Sequence, residues 1–144
     1  MTHKCQALVL HCMDYRFIGH LRDFIVSQGL KDQYDEVSLA GGVQGIVSGT
    51  KHVQEYILNQ IGTARRLHSI QDVYLINHLD CGAYGGRTAF GSDQEEHDRH
   101  TSDLQKAQII INQRFSELNI SMVIARLNEE NGGQEVDFEV VSGS

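Results

Sequence analysis

Five residues stand out for what they could do together: Cys12, Asp14 and Arg16 in the stretch "CMDYR", and His78 and Cys81 in "HLDCG". Two thiols and one imidazole form a donor set suited to zinc. His78 and Cys81 lie three residues apart, close enough to bite one ion from a single turn, and Cys12 would close the site from a second strand. Three protein ligands leave the fourth position to water or substrate, the pattern of a catalytic rather than a structural zinc. A structural site would want a fourth Cys or His. The remaining thiol, Cys5, is a poor candidate: seven residues of extended chain at about 3.3 Å each put it more than ~20 Å from Cys12. It reads as a core thiol.

Each piece alone has a plainer reading, a buried thiol or a surface acid–base pair. A phosphate-binding loop on Cys12 and Arg16 is another reading. It would need a longer, Gly-rich arc whose backbone N–H groups surround the anion, and the three bulky residues between them do not supply it.

The elements that must position these groups follow from the hydrophobic pattern. Residues 5–11 are continuously apolar, as in a buried strand. Residues 17–28 carry Phe17, Leu21, Phe24 and Ile25 on one helical face, with Gly29 as a stop. A short strand is expected at 35–39. A longer helix is expected at 48–68, with Val53, Ile57, Ile61, Ala64 and Leu67 at helical spacing. Residues 72–78 form the third strand, running into the Gly-rich "DCGAYGG". The polar stretch 91–101 reads as a solvated loop. A helix over 102–118 is expected to start on a Ser102–Gln105 capping box, with Leu104, Ile111, Phe115 and Leu118 on one face. Strand four is "ISMVIARL", "NEENGGQE" (128–135) is a turn, and "VDFEVV" alternates like an edge strand.

This order implies a single α/β domain over residues 1–144. Its sheet has about four parallel strands plus one antiparallel edge strand, covered by helices. In such sheets ligands bind beyond the carboxyl ends of the strands. Strand one ends at Cys12 and strand three at His78. If the two are neighbours, both motifs meet at one rim.

The bulk properties narrow the function. The 144 residues carry 12 Lys and Arg against 19 Asp and Glu, a formal charge of −7. That disfavours a nucleic-acid binder, which would show a basic face. No apolar run approaches the roughly 18 residues of a membrane span. The opening "MTHKCQALVLHCMD" has too short an apolar run and too charged an exit for a signal peptide, so a cytoplasmic protein is expected. Three cysteines without a leader argue against a disulfide framework.

The two motifs, C-x-D-x-R at 12–16 and H-x-x-C-G at 78–82, resemble the signature pair of the β-class carbonic anhydrases. The order of strands and helices resembles that family's core over nearly the whole chain. The resemblance implies that Cys12, His78 and Cys81 bind Zn²⁺. It implies reversible hydration of CO₂ to bicarbonate and a proton by zinc-bound hydroxide. Asp14 would accept a hydrogen bond from the zinc-bound water, or occupy the fourth zinc position in a resting form, and Arg16 would hold Asp14 ionised through a charge-assisted pair. A tight turn at Gly82 into a helix N-terminus would stabilise thiolate. The same family resemblance implies a homodimer, or a dimer-based higher oligomer, with the cleft at the interface.

This chain is a short, divergent member of that pattern. It has Ser38-Leu39-Ala40-Gly41-Gly42 where the family usually has Arg-Asn-Ala-Gly, and it lacks N-terminal helical arms. Two other readings stay open: a COS or CS₂ hydrolase with the same zinc motifs, and an inactive zinc- or anion-binding module. The intact Asp14–Arg16 pair argues against the module. His97, His100 and His11 are candidates for proton export, with the His11 side chain expected on the opposite face from Cys12. Tyr15 and Tyr84 are candidates for lining the cleft, and Arg87 for holding bicarbonate.

Overall fold

The computed structural model describes residues 3–133 and 135–143. Met1 and Thr2 of the opening stretch, Gln134 of the expected turn, and Ser144 lie outside them. The elements run β1 (Ala7–His11), α1 (Ile18–Ser27), β2 (Tyr34–Ser38), α2 (Gln44–Val47), α3 (Lys51–His68), β3 (Asp72–His78), α4 (Asp93–Arg114), β4 (Asn119–Asn128) and β5 (Glu135–Val141). The sheet order is β2-β1-β3-β4-β5. The first four strands are parallel and β5 runs antiparallel to β4. The expected architecture is therefore the observed one.

Alternation along the central strands builds two cores. Leu8 and Leu10 of β1 join Val73 and Leu75 of β3 against Ile57 and Ile61 of α3 and Leu104 and Ile111 of α4. Ala7 and Val9 point to the other face, where Phe17 and the α1 residues Leu21 and Ile25 cover them. Every residue of β1 is buried, as a central strand requires. On β5, burial alternates with exposure, as an edge strand covered on one face should. Phe138 of β5 stacks on Phe24 of α1 at 4.3 Å.

The order of connections creates a switch point. The chain leaves β1 toward one edge through α1, and leaves β3 toward the other edge through α4. Right-handed crossovers in opposite directions place the helices on opposite faces. The crevice opens between β1 and β3, which are direct neighbours in the sheet.

Two helix starts differ from expectation. α4 begins at Asp93, not at 102, so most of the expected loop 91–101 is helix. The Ser92 side chain accepts from Glu95 N–H at 3.1 Å, and Glu95 Oε2 accepts from Gly91 N–H at 2.7 Å. Asp93, Glu95 and Glu96 fill the first turn, where the helix dipole favours negative charge. The Ser102–Gln105 pair is mid-helix and caps nothing. The helix expected over 48–68 is α3, which starts three residues later at Lys51 and is preceded by the separate short α2, because Thr50 caps α3 by accepting from Val53 N–H at 3.3 Å. Its buried stripe is Ile57, Leu58, Ile61 and Ala64, while Val53 and Leu67, near its two ends, are exposed.

Candidate metal centre

β1 and β3 deliver the two motifs side by side. The chain turns away after His11, and the Met13 backbone N–H donates to Leu39 O at 3.2 Å, which pins the exit of β1 to the loop after β2. That loop passes close beneath. Gly41 and Gly42 both have positive φ, and a Cβ on Gly42 would lie 2.7 Å from Asn77 Oδ1. Gly42 is thus explained by close approach of backbone to β3, and Gly41 of the retained Ala-Gly by its positive φ and its contacts with Gln44 and Ala83.

Cys12, His78 and Cys81 converge. One donor atom from each lies within 4.8 Å of the others, and all three residues are buried. The two sulfurs are 3.9 Å apart. His78 Nδ1 donates to Leu79 O at 2.8 Å, which leaves the lone pair on Nε2. That Nε2 is buried and has no hydrogen-bond partner. A buried lone pair beside two thiols is costly unless something fills the gap. A zinc-type cation fits this donor set. The hydrogen bond from Cys81 drives the Cys12 thiol well below the ordinary thiol pKa, while that same bond and burial push Cys81 well up. A cation held by both would let both ionise.

Asp14 and Arg16 stand at the mouth. Arg16 Nη2 donates to Asp14 Oδ2 at 2.7 Å, and Arg16 Nε lies 3.1 Å from Oδ1. The Arg16 backbone N–H also donates to Asp14 Oδ1 at 3.0 Å. The carboxylate is therefore held from two sides, and the guanidinium keeps its pKa below the usual range. Asp14 Oδ2 sits 3.7 Å from His78 Nε2. Arg16 reaches the second motif as well, donating to Asp80 O at 2.9 Å and Asp80 Oδ2 at 3.2 Å. One side chain thus ties the two strand ends together. The cleft above them has a volume of about 710 Å³ and is lined in part by Met13, Tyr15, Ala40 and Ala83.

A second layer, not anticipated from the sequence, lies behind the second motif. Asp80 has positive φ, and its backbone N–H donates to the buried Glu96 at 2.7 Å. Asp80 Oδ1 accepts from Arg87 N–H at 2.8 Å. Asn77 donates to His100 Nδ1 at 3.0 Å and to Tyr84 OH at 3.2 Å, and Tyr84 OH donates to Asp103 at 2.8 Å. The signal for this layer was the spacing of Glu96, His100, Asp103 and Ala107 on one face of α4, continuing the stripe of Leu104 and Ile111.

The remaining candidates fall elsewhere. His100 is fully buried, and burial, with His78 nearby, pushes its pKa down to about 4. It is a fixed neutral group inside the helix layer. His97 contacts Glu139 at 2.9 Å on the α4–β5 side. His11 Nε2 lies 2.9 Å from Glu36, away from the cleft as expected. Tyr84 is buried beneath the site, while Tyr15 is 86% exposed at the cleft mouth. The Arg87 guanidinium is held by Glu129 at 2.7 Å and lines a different cavity. Gly82–Tyr84 is a single 3₁₀ turn after Cys81, not the start of a longer helix.

The family model described as "Putative carbonic anhydrase" matches residues 2–131. An uncharacterized protein of Rickettsia bellii is 30% identical over 122 residues, covering 82% of this chain and 74% of that one. An uncharacterized protein of Rickettsia conorii is 27% identical over 144 residues, covering 97% and 76%. Among solved structures, β-carbonic anhydrase isoform I from Trichomonas vaginalis superposes with a TM-score of 0.61 at 12% identity, covering 99% of this chain and 87% of that one. A carbonic anhydrase from Streptococcus mutans gives 0.58 at 15%, covering 98% and 84%. The fold is that of the β-carbonic anhydrases, and the chain belongs to the family described as "Putative carbonic anhydrase".

Proposed function

We propose that this chain catalyses the reversible hydration of CO₂ to bicarbonate and a proton at one zinc ion held by Cys12, His78 and Cys81. The observation that carries the reading is the buried, unpartnered His78 Nε2 set between two thiols, with a fixed carboxylate 3.7 Å away. Zinc when bound lowers the pKa of water toward neutrality and so supplies a nucleophile at ordinary pH.

The chain's own residues do the rest. The Leu79 carbonyl holds the His78 ring in the tautomer that presents Nε2. Arg16 keeps Asp14 ionised and oriented, so toward a water or hydroxide Asp14 accepts a hydrogen bond and does not donate one. Met13, Ala40 and Ala83 give the small, apolar CO₂ an apolar approach. A homodimer is part of the same reading, supported by the exposure of Met13 and Tyr15 at the cleft mouth. No helix among the described residues is long and apolar enough to cross a membrane, which is compatible with action in the cytoplasm.

Stopped-flow CO₂ hydration of the purified, reduced protein across pH tests the reading, with COS and CS₂ run beside it and zinc counted per chain. Hydration that tracks zinc content supports it. Turnover of COS or CS₂ alone would reassign the substrate. Bound zinc with no turnover of any of the three would leave a binding module.

A further inference from the structure

The opposite end of the sheet gathers a second set of donors. Cys5 precedes β1, Asp35 is in β2, and His68 ends α3. A donor atom from each lies within 4.8 Å of the other two. His68 Nδ1 and Asp35 Oδ2 are in hydrogen-bond contact at 2.6 Å. The Cys5 backbone N–H donates to His68 O at 3.0 Å, so main chain holds the thiol against the ring. All three residues are half-buried, which leaves them accessible to an ion from solvent.

Two further features favour a cation there. The 18-residue helix α3 ends at His68, and its carbonyl end carries the negative pole of the helix dipole. The thiol and the carboxylate would repel if both ionised: burial and Asp35 together hold the Cys5 thiol above its ordinary pKa. The main-chain bonds that join the elements need no sulfur. Serine or alanine at position 5 would keep them; the thiol packs against the edge of the main core and still brings its sulfur within reach of the Asp35 and His68 donor atoms.

We propose that Cys5, Asp35 and His68 form a second metal site, for a borderline divalent cation such as zinc. The donors are one sulfur, one nitrogen and one oxygen, a mixed set that suits zinc better than calcium or magnesium. Zinc replaces the proton of the Cys5 thiol and takes the place of the His68–Asp35 hydrogen bond, the neutral ring carrying its proton on Nε2, so one proton leaves when the ion binds. A cavity of about 240 Å³ beside Asp35 and His68 has room for a water as fourth ligand. The site fastens the starts of β1 and β2 to the end of α3, and it lies at the opposite end of the sheet from the proposed catalytic centre.

The test is a zinc count after loading with zinc chloride and dialysis under reducing conditions. The wild type should hold about two ions per chain, and Cys5→Ser and His68→Gln about one each. Both variants should keep CO₂ hydration within about twofold of wild type. The double variant Cys12→Ser, Cys81→Ser should still hold about one ion. Loaded with cobalt instead, that double variant should show a thiolate-to-cobalt charge-transfer band that Cys5→Ser removes, which identifies Cys5 as a ligand directly. A zinc count untouched by Cys5→Ser and His68→Gln overturns the proposal. So does a double variant that binds no ion while the wild type binds one. A single wild-type ion lost in Cys5→Ser but kept in the double variant would uphold this site and sink the catalytic centre instead.

Discussion

The two ends of the sheet hold similar donors in different settings. At the carboxyl ends, Cys12, His78 and Cys81 are buried, and the groups around them are themselves held: His78 by Leu79, Asp14 by Arg16, Asp80 by Glu96. At the amino ends, Cys5, Asp35 and His68 are half-exposed, and their described polar contacts are largely with one another and the adjoining main chain. The difference follows from topology. Beyond the carboxyl ends the connections from β1 and β3 part to opposite faces, leaving a crevice that loops and α4 can wall. At the amino ends the chain merely enters the strands. Donor chemistry alone therefore does not make a reactive site. A wall of fixed groups that dictates what the donors present is also needed.

The sharpest way to break this contrast is the same substitution at both ends. Cys12→Ser should lose most of the zinc that supports turnover and lower CO₂ hydration by at least ~10²-fold, read by stopped flow on protein of known metal content. Cys5→Ser should leave the rate within about twofold. Equal losses at both ends would mean that the amino-end cluster shares in catalysis, and the contrast would fail.

The next effect separates the wall from the ligands. Asp14→Asn keeps the shape of the side chain and removes its charge. Zinc should stay, and the rate should fall by about 10²-fold, the scale for one preorganised electrostatic group. Retained full activity would remove Asp14 from the mechanism. Arg16 can be tested through the titration of Asp14, followed by NMR of its carboxyl carbon. In the wild type Arg16 holds that pKa below the ordinary ~3.9. The stability this provides is present above the unfolded value and is lost as pH falls through the lower, folded value. Arg16→Gln should move the titration up toward ~3.9. An unmoved titration would show that the pair does not govern Asp14.

The ends of β1 and β3 were legible because each is a largely apolar run that stops abruptly at side chains able to hold a metal ion. Parallel order and the antiparallel edge followed from the alternation of periods. The second layer was not legible, for a physical reason. On α4 the buried face carries Glu96, His100 and Asp103 where a stripe would be apolar, so periodicity of hydrophobicity begins only at Leu104. The true start lay in Ser92 and Glu95, but a similar Ser-x-x-Gln at 102–105 stood where the apolar stripe begins. Cys5, Asp35 and His68 are about thirty residues apart in sequence and meet only because β1 and β2 pair in register, with Ala7 opposite Tyr34. No local motif announces such a cluster.

A smaller effect tests whether the second layer positions the site. Glu96→Ala leaves the Asp80 N–H without its buried acceptor, which should cost about 1–3 kcal/mol of stability. It should also lower CO₂ hydration roughly tenfold, the low end for groups that orient metal ligands from behind. Glu96→Gln keeps an acceptor oxygen and should recover most of both. Rescue of stability without rescue of rate would mean that the charge of Glu96, not its hydrogen bond, is what the site uses.

The smallest effect compares two caps. Ser92 and Thr50 each accept one N–H in the first turn of a long helix, so Ser92→Ala and Thr50→Ala should each cost about 1 kcal/mol, read as a drop in Tm. Their consequences for rate should differ. The first turn of α4 carries Glu96 and through it Asp80, two residues from His78 and next to Cys81. The first turn of α3 contributes no residue to the described cleft lining. Fraying at Ser92 should therefore lower CO₂ hydration by about twofold to threefold under conditions where the protein is fully folded, while Thr50→Ala leaves it unchanged. Equal rates in the two variants would mean that the metal ligands hold their geometry without α4. The carboxyl end of the sheet would then owe its character to the three donors and the Asp14–Arg16 pair, and the contrast with the amino end would narrow to burial.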